Sequence, residues 1–206
     1  VLLCAADLER LRGRAASEDP LRNAEQRKAG LKKHRDQAFA HLSRGLEILA
    51  NSKDGRSPEE SGKFQLLWHK ANLLLDDLDS RDGEQLAKVR PDIESTIEQV
   101  RKTRINGAAD YLLGRLSLAE RKWADAAKSF ELARTLLAGQ PDLAAQADLF
   151  LGQCYNRLQE HTQMYNAFKR VSDWDASNVA ARIGMAEARA AQGRLDESLR
   201  EFEVLL

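Results

Sequence analysis

Apolar residues return along this chain every three or four positions, the spacing that lines one face of an α-helix. Ala38, Leu42, Leu46 and Leu49 form one such stripe, and Leu67, Trp68, Ala71 and Leu75 form another. Ile93, Ile97 and Val100 make a third, and Ala126, Ala127, Phe130, Ala133 and Leu137 a fourth. No apolar run approaches the roughly 18–20 residues needed to span a bilayer. Polar punctuation separates the stripes. Asn51–Lys63 reads as a connecting loop and Asp79–Gly83 as a turn, and Pro91 is expected near the start of the helix carrying Ile93. Asp19-Pro20 looks like a helix start, which extends the following helix to about thirty residues. Asp175-Ala176-Ser177-Asn178 and Ala138-Gly139-Gln140-Pro141 separate later helices, with Asn178 or Ser177 placed to cap the next one.

The second half repeats itself. Leu113-Gly114 is followed 16 residues later by Phe130, Leu151-Gly152 by Phe168, and Met185-Ala186 by Phe202. The steps between segments are 38 and then 34 residues. Each segment offers a first helix with a small residue where another helix can approach closely, then a turn, explicit at Gln192-Gly193-Arg194, then a second helix with an apolar stripe. Ala5-Ala6 and Gly13-Arg14 are spaced like Met185-Ala186 and Gly193-Arg194, which suggests a further first helix near the start.

These residues resemble the tetratricopeptide repeat family, whose 34-residue helix–turn–helix unit reads W-x2-L-G-x2-Y, A-x3-F, P. Leu113-Gly114 with Ala126-x3-Phe130 fits, with Trp123 at an aromatic position between them; Leu151-Gly152-x2-Tyr155 with Phe168 fits apart from Met164 in the alanine place. Met185-Ala186, Ser198 and Phe202 make a weaker third match. The resemblance implies one domain over 1–206: two divergent hairpins in 1–106 with an insertion near 15–35, then repeats at 107–144, 145–178 and 179–206. The fold class so implied is an all-α, right-handed α-solenoid of about five hairpins and about ten helices. It also implies an inner groove lined by first helices. That places Tyr111, Arg115 and Leu118 in the groove, then Gln146, Leu149, Gln153, Asn156 and Arg157, then Ile183 and Glu187. Such a lining suits an extended peptide or a partner helix. The Lys/Asn/Arg clamp of chaperone-binding members is missing: its places hold Tyr111 with Arg115, Phe150, and Ala180 with Gly184.

Composition supports the helical reading. Ala, Leu, Glu, Lys and Arg supply 109 of 206 residues, whereas Val and Ile supply 11, too few to build strands. Lys+Arg and Asp+Glu balance at 32 each, which argues against capture of nucleic acid or an anionic membrane by bulk charge. The exception is a basic stripe of Lys28, Lys32 and Arg35, recurring at i, i+4, i+7; it reads either as a solvated face or as a patch for an acidic partner, without interleaved aromatics for base stacking.

Candidate chemistry is sparse. Cys4 and Cys154 sit among apolar neighbours and read as small buried thiols. His34, His41, His69 and His161 show no metal-ligand spacing with Cys or Glu. Asp76, Asp77, Asp79 and Asp82 read as a solvated helix end, because adjacent helical residues diverge by about 100°. Trp68, Trp123 and Trp174 are expected in the core. No phosphate-cradling or nucleophile-elbow motif is present.

The expectation is therefore a non-enzymatic scaffold without cofactor or metal that binds a protein or peptide. The rival readings are a spacer or self-associating segment, using the apolar ends Val1–Leu8 or Phe202–Leu206, and a regulatory module of an enzyme lying outside this stretch. Starting on Val1 and ending on an apolar run, the sequence reads as a piece of a longer protein, with a cytoplasmic location the default for two unpaired cysteines and no targeting segment.

Overall fold

The computed structural model describes residues 1–51, 62–76, 83–103 and 105–203. Those residues form ten α-helices and no strand, and they divide into two compact units, Val1–Arg104 and Ile105–Leu206. The expected Asp79–Gly83 turn and most of the Asn51–Lys63 loop lie outside the described residues.

The first unit contains α1 (Leu2–Glu18), α2 (Ala24–Asn51), α3 (Lys63–Leu75) and α4 (Gly83–Arg101), each packed on the next. Ala6, Glu9, Gly13 and Ala16 form the buried line of α1, and this row of mostly small side chains lets α2 approach. Gly13 therefore lies inside α1, not at a turn as its spacing suggested: a Cβ there would stand 3.3 Å from His34 Cβ. Close packing offsets glycine's helix penalty of about 1 kcal/mol. The polar member of the line, Glu9, accepts hydrogen bonds from Arg12 (2.7 Å) and His34 Nδ1 (2.6 Å).

Two expected boundaries move. Helix α2 starts at Ala24 rather than at Asp19-Pro20, because Asn23 and Gln26 form a reciprocal capping box, with Gln26 N–H donating to Asn23 Oδ1 at 2.8 Å and Asn23 N–H to Gln26 Oε1 at 3.1 Å. Pro91 lies inside α4, not near its start. The missing N–H forfeits one helical hydrogen bond, while Ile93, Ile97 and Val100, all buried, hold the following turns in place. Ala6, Ala38, Leu42, Leu66 and Leu73 make a core cluster, with Leu3, Phe39, Leu46 and Leu49 packed around it.

The second unit is three successive hairpins: α5 (Ala108–Ala119) with α6 (Trp123–Leu136), α7 (Pro141–Arg157) with α8 (His161–Trp174), and α9 (Val179–Ala191) with α10 (Leu195–Glu203). The stripe Ala126, Ala127, Phe130, Ala133 and Leu137 is buried throughout. At each hairpin turn one residue adopts a left-handed backbone: Arg121 (φ 59°), Gln159 (φ 60°) and Gly193 (φ 77°). Each stands seven positions after Gly114, Gly152 or Ala186, so the three turns share one geometry although glycine marks only the last. Asn178 caps α9, its Oδ1 accepting from Ala181 N–H at 3.0 Å. In the third hairpin Ser198 is buried, and its hydroxyl donates to the Ala186 carbonyl at 2.8 Å, which satisfies the polar atom that alanine would not bring.

The tryptophans depart from expectation. Trp68 and Trp123 are only half-buried, and Trp174, the last residue of α8, is 57% exposed. Cys154 is buried as expected, but Cys4 is exposed because it lies on the side of α1 away from the buried line.

Candidate functional site

Within the second unit, the residues expected to line a groove all fall on the first helices α5, α7 and α9. The best-defined part lies where α5 meets α7. The Tyr111 ring stands edge-on to Phe130 and to Phe150, at centroid distances of 5.8 and 6.0 Å, and those two phenylalanines stack at 5.2 Å. Tyr111 is 3% exposed, so it offers no contact surface. It acts through its hydroxyl, which donates to Gln146 Oε1 at 3.1 Å and fixes that exposed amide. Arg115, half-buried, holds its guanidinium over the Phe150 ring at 5.6 Å.

The other candidates are less tightly joined. Leu118 is half-buried, and Leu149 packs against the Met164–Phe168–Met185 cluster. Gln153 and Asn156 are exposed on α7, as are Ile183 and Glu187 on α9. Among the described residues, the side chains of Gln153, Asn156 and Glu187 have no hydrogen-bond or ion-pair partner. Arg157 faces elsewhere: its guanidinium lies over the Trp123 ring of α6 at 5.7 Å.

Sequence reasoning missed a charged network joining α6, α7 and α8. Asp148, buried on α7, accepts from Arg170 Nε (2.9 Å) and Nη2 (2.5 Å), with Arg134 Nε at 3.6 Å. Glu131 accepts from Arg134 Nη2 at 2.6 Å and from the Tyr155 hydroxyl at 3.0 Å. Burial raises the Asp148 pKa, and its arginines reverse this only in part. At Glu131 burial also pulls upward, but hydrogen bonds from Arg134 and Tyr155 and the surrounding arginines outweigh it and leave the pKa lowered. Burial, with Glu131 adjacent, pushes Tyr155 up to about 12. An aspartate on the buried face of an otherwise Ala/Leu-rich helix was the one available signal for this network.

Among the described residues no three His, Cys, Asp or Glu side chains gather as a metal site would require. Burial pushes the Cys154 thiol up to about 12, which removes it as a nucleophile near neutrality. Asp76 alone of the aspartate cluster is fully described; its carboxylate meets Arg10 at 3.5 Å. At the ends named for self-association, Val1 and Leu8 are exposed, as is Phe202 at 39%, and 204–206 lie outside the described residues. No described helix is long and apolar enough to cross a membrane.

No family model matches the chain, and no curated protein matches it in sequence. In fold it is similar to a crystal structure of MamA protein, at 15% identity over 97% of this chain and 88% of that one, with a TM-score of 0.56. A second crystal structure of MamA is similar over 86% of this chain and 90% of that one, at 17% identity and a TM-score of 0.58. Likeness at this identity is likeness of fold: a helical-repeat architecture of the tetratricopeptide type.

Proposed function

We propose that this chain is a non-enzymatic protein-interaction scaffold that receives an extended peptide or partner helix across the first-helix face of its second unit. The observation that carries this reading is the preset polar row on α7. Tyr111 fixes the Gln146 amide, Arg115 caps Phe150 beside it, and the row continues into Gln153 and Asn156, whose side chains have no partner of their own. An amide already oriented, as at Gln146, gives a hydrogen bond to a peptide backbone at little ordering cost; Gln153 and Asn156 offer further donors and acceptors, and Ile183 on α9 adds an apolar contact. Shape and many small increments then do the work, as in stacked repeats.

The test is affinity capture from the native extract with the full chain and with Gln153→Ala/Asn156→Ala/Glu187→Ala. All three side chains are exposed, so helical content should hold while recovery of bound protein falls by about tenfold or more. Equal recovery by both would overturn the assignment.

A further inference from the structure

A second surface lies in the first unit, at the turn end of the α1–α2 hairpin, beside the C-terminal end of α3. Between Arg10 and Arg35 the chain holds nine Lys/Arg against three Asp/Glu, in a molecule whose total charge is zero. Part of this surplus is neutralised locally: Arg12 pairs with Glu9 at 2.7 Å, Arg14 with Glu18 at 3.0 Å, Arg22 with Asp19 at 3.0 Å, and Arg10 reaches Asp76 at 3.5 Å. The remainder falls on α2. Lys28, Lys32 and Lys33 are exposed, and among the described residues none has an ion-pair partner.

Aliphatic side chains lie among these cations. Leu31 on α2 is 43% exposed, Leu11 on α1 is 66% exposed, and Leu21 in the connecting turn is 94% exposed. Leu11 and Leu31 line a cleft of about 590 Å³ together with Arg10, Arg14, Arg35 and Leu73; the carboxylates on its wall, Asp7, Glu9 and Asp76, are each met by an arginine or histidine of the same unit. Lys28 and Lys32, four positions apart, share a stripe about 60–100° around α2 from Leu31, on the same side as the cleft residue Arg35, so their ammonium groups flank one side of the apolar cleft.

We infer that this cleft and its basic border dock an acidic, leucine-bearing segment of a partner protein. Carboxylates would meet Lys28 and Lys32, and an aliphatic side chain would enter between Leu11 and Leu31. The surface chooses among polyanions. Single-stranded nucleic acid binds by stacking bases on aromatic rings, and no Phe, Trp or Tyr occurs between Arg10 and Arg35. An anionic bilayer is flat, whereas here the leucines line a recess. A peptide places its charges on the basic side and its apolar side chain in the recess.

The experiment uses the full chain and a fluorescein-labelled peptide of repeated Glu-Glu-Leu, read by fluorescence anisotropy at low salt. Glu-Glu-Ser repeats, phosphatidylserine vesicles and oligothymidine serve as competitors. Lys28→Glu/Lys32→Glu should weaken peptide binding by about tenfold with helical content unchanged, since both side chains are in solvent. Leu11→Ser, at an exposed position, should weaken it by several-fold, and the serine peptide should compete poorly. The inference is overturned if the peptide fails to bind, if the lysine reversal or Leu11→Ser leaves affinity unchanged, or if the serine peptide competes equally. It is likewise overturned if vesicles or oligothymidine displace the peptide more effectively than unlabelled Glu-Glu-Leu.

Discussion

Replacing Gly152 by alanine should destabilise the second unit, although alanine is the better helix former. In an unobstructed helix the change is worth about 0.8–1.0 kcal/mol in favour of alanine. At Gly152 the new Cβ would stand 2.6 Å from both Cε1 and Cε2 of Phe168, and closer still to its tip. Non-bonded carbons rest at about 3.5–4.0 Å, so the overlap is about 1 Å along the whole ring edge. The ring has little room to retreat, because it also lies against α9, where a Cβ on Gly184 would come within 2.7 Å of Phe168 Cγ. Overpacking of this kind costs about 1–3 kcal/mol. A ring held on both sides puts the cost at the upper end of that range, so after the gain in helix propensity the net loss is about 2 kcal/mol, or a fall of roughly 8–16 °C in melting temperature for a unit of this size. Urea and thermal unfolding followed by circular dichroism measure it. The control is the same substitution in a Phe168→Ala background: with the ring gone, Gly152→Ala should become stabilising by about 0.5–1 kcal/mol. A Gly152→Ala protein as stable as the parent, or a penalty that persists without the ring, would refute the packing argument.

Two further outcomes follow from the same unit. Gln159→Gly should stabilise it by about 0.5–1 kcal/mol in urea unfolding, because Gln159 holds a left-handed backbone (φ 60°) that costs a side-chain-bearing residue energy; a loss of stability would show that the side chain repays that cost. Glu131, its pKa lowered by folding, contributes stability that is present above its unfolded value near 4.5 and lost as pH falls through the folded value, so Glu131→Gln should flatten the acid limb of a stability–pH profile. Asp148, shifted upward, contributes with the opposite sign and loses its part as pH rises; parallel acid limbs for parent and Glu131→Gln would refute the assignment.

What the sequence revealed followed from how directly a residue type reports its surroundings. Gly114 and Gly152 each oppose a phenylalanine 16 positions later, and that pairing of absent and bulky side chains was readable as spacing. The Asn178 cap was equally plain, since a capping oxygen acts within three residues. The turns at Arg121 and Gln159 were not, because their left-handed backbone is imposed by the packing of the flanking helices and leaves no glycine to mark it. Gly13 misled for the converse reason: a glycine that usually ends a helix here admits a neighbouring one. Tyr111 was assigned to the right helix and the right neighbourhood, but periodicity fixes only the direction of a side chain, and two phenylalanines from other helices cover its ring. The Asp148–Arg170–Arg134 network joins residues 22 and 14 positions apart, a pairing that appears only once three helices are stacked.

The uneven charge along α1 and α2 gives this neutral molecule a handle. A chain with as many acids as bases is expected to pass through an ion exchanger of either sign, yet retention depends on the patch presented to the matrix rather than on the total. With its unpaired lysines gathered at one hairpin end, the protein should adsorb to a cation-exchange surface at neutral pH and do so in a preferred orientation, with Lys28 and Lys32 turned toward the negative support.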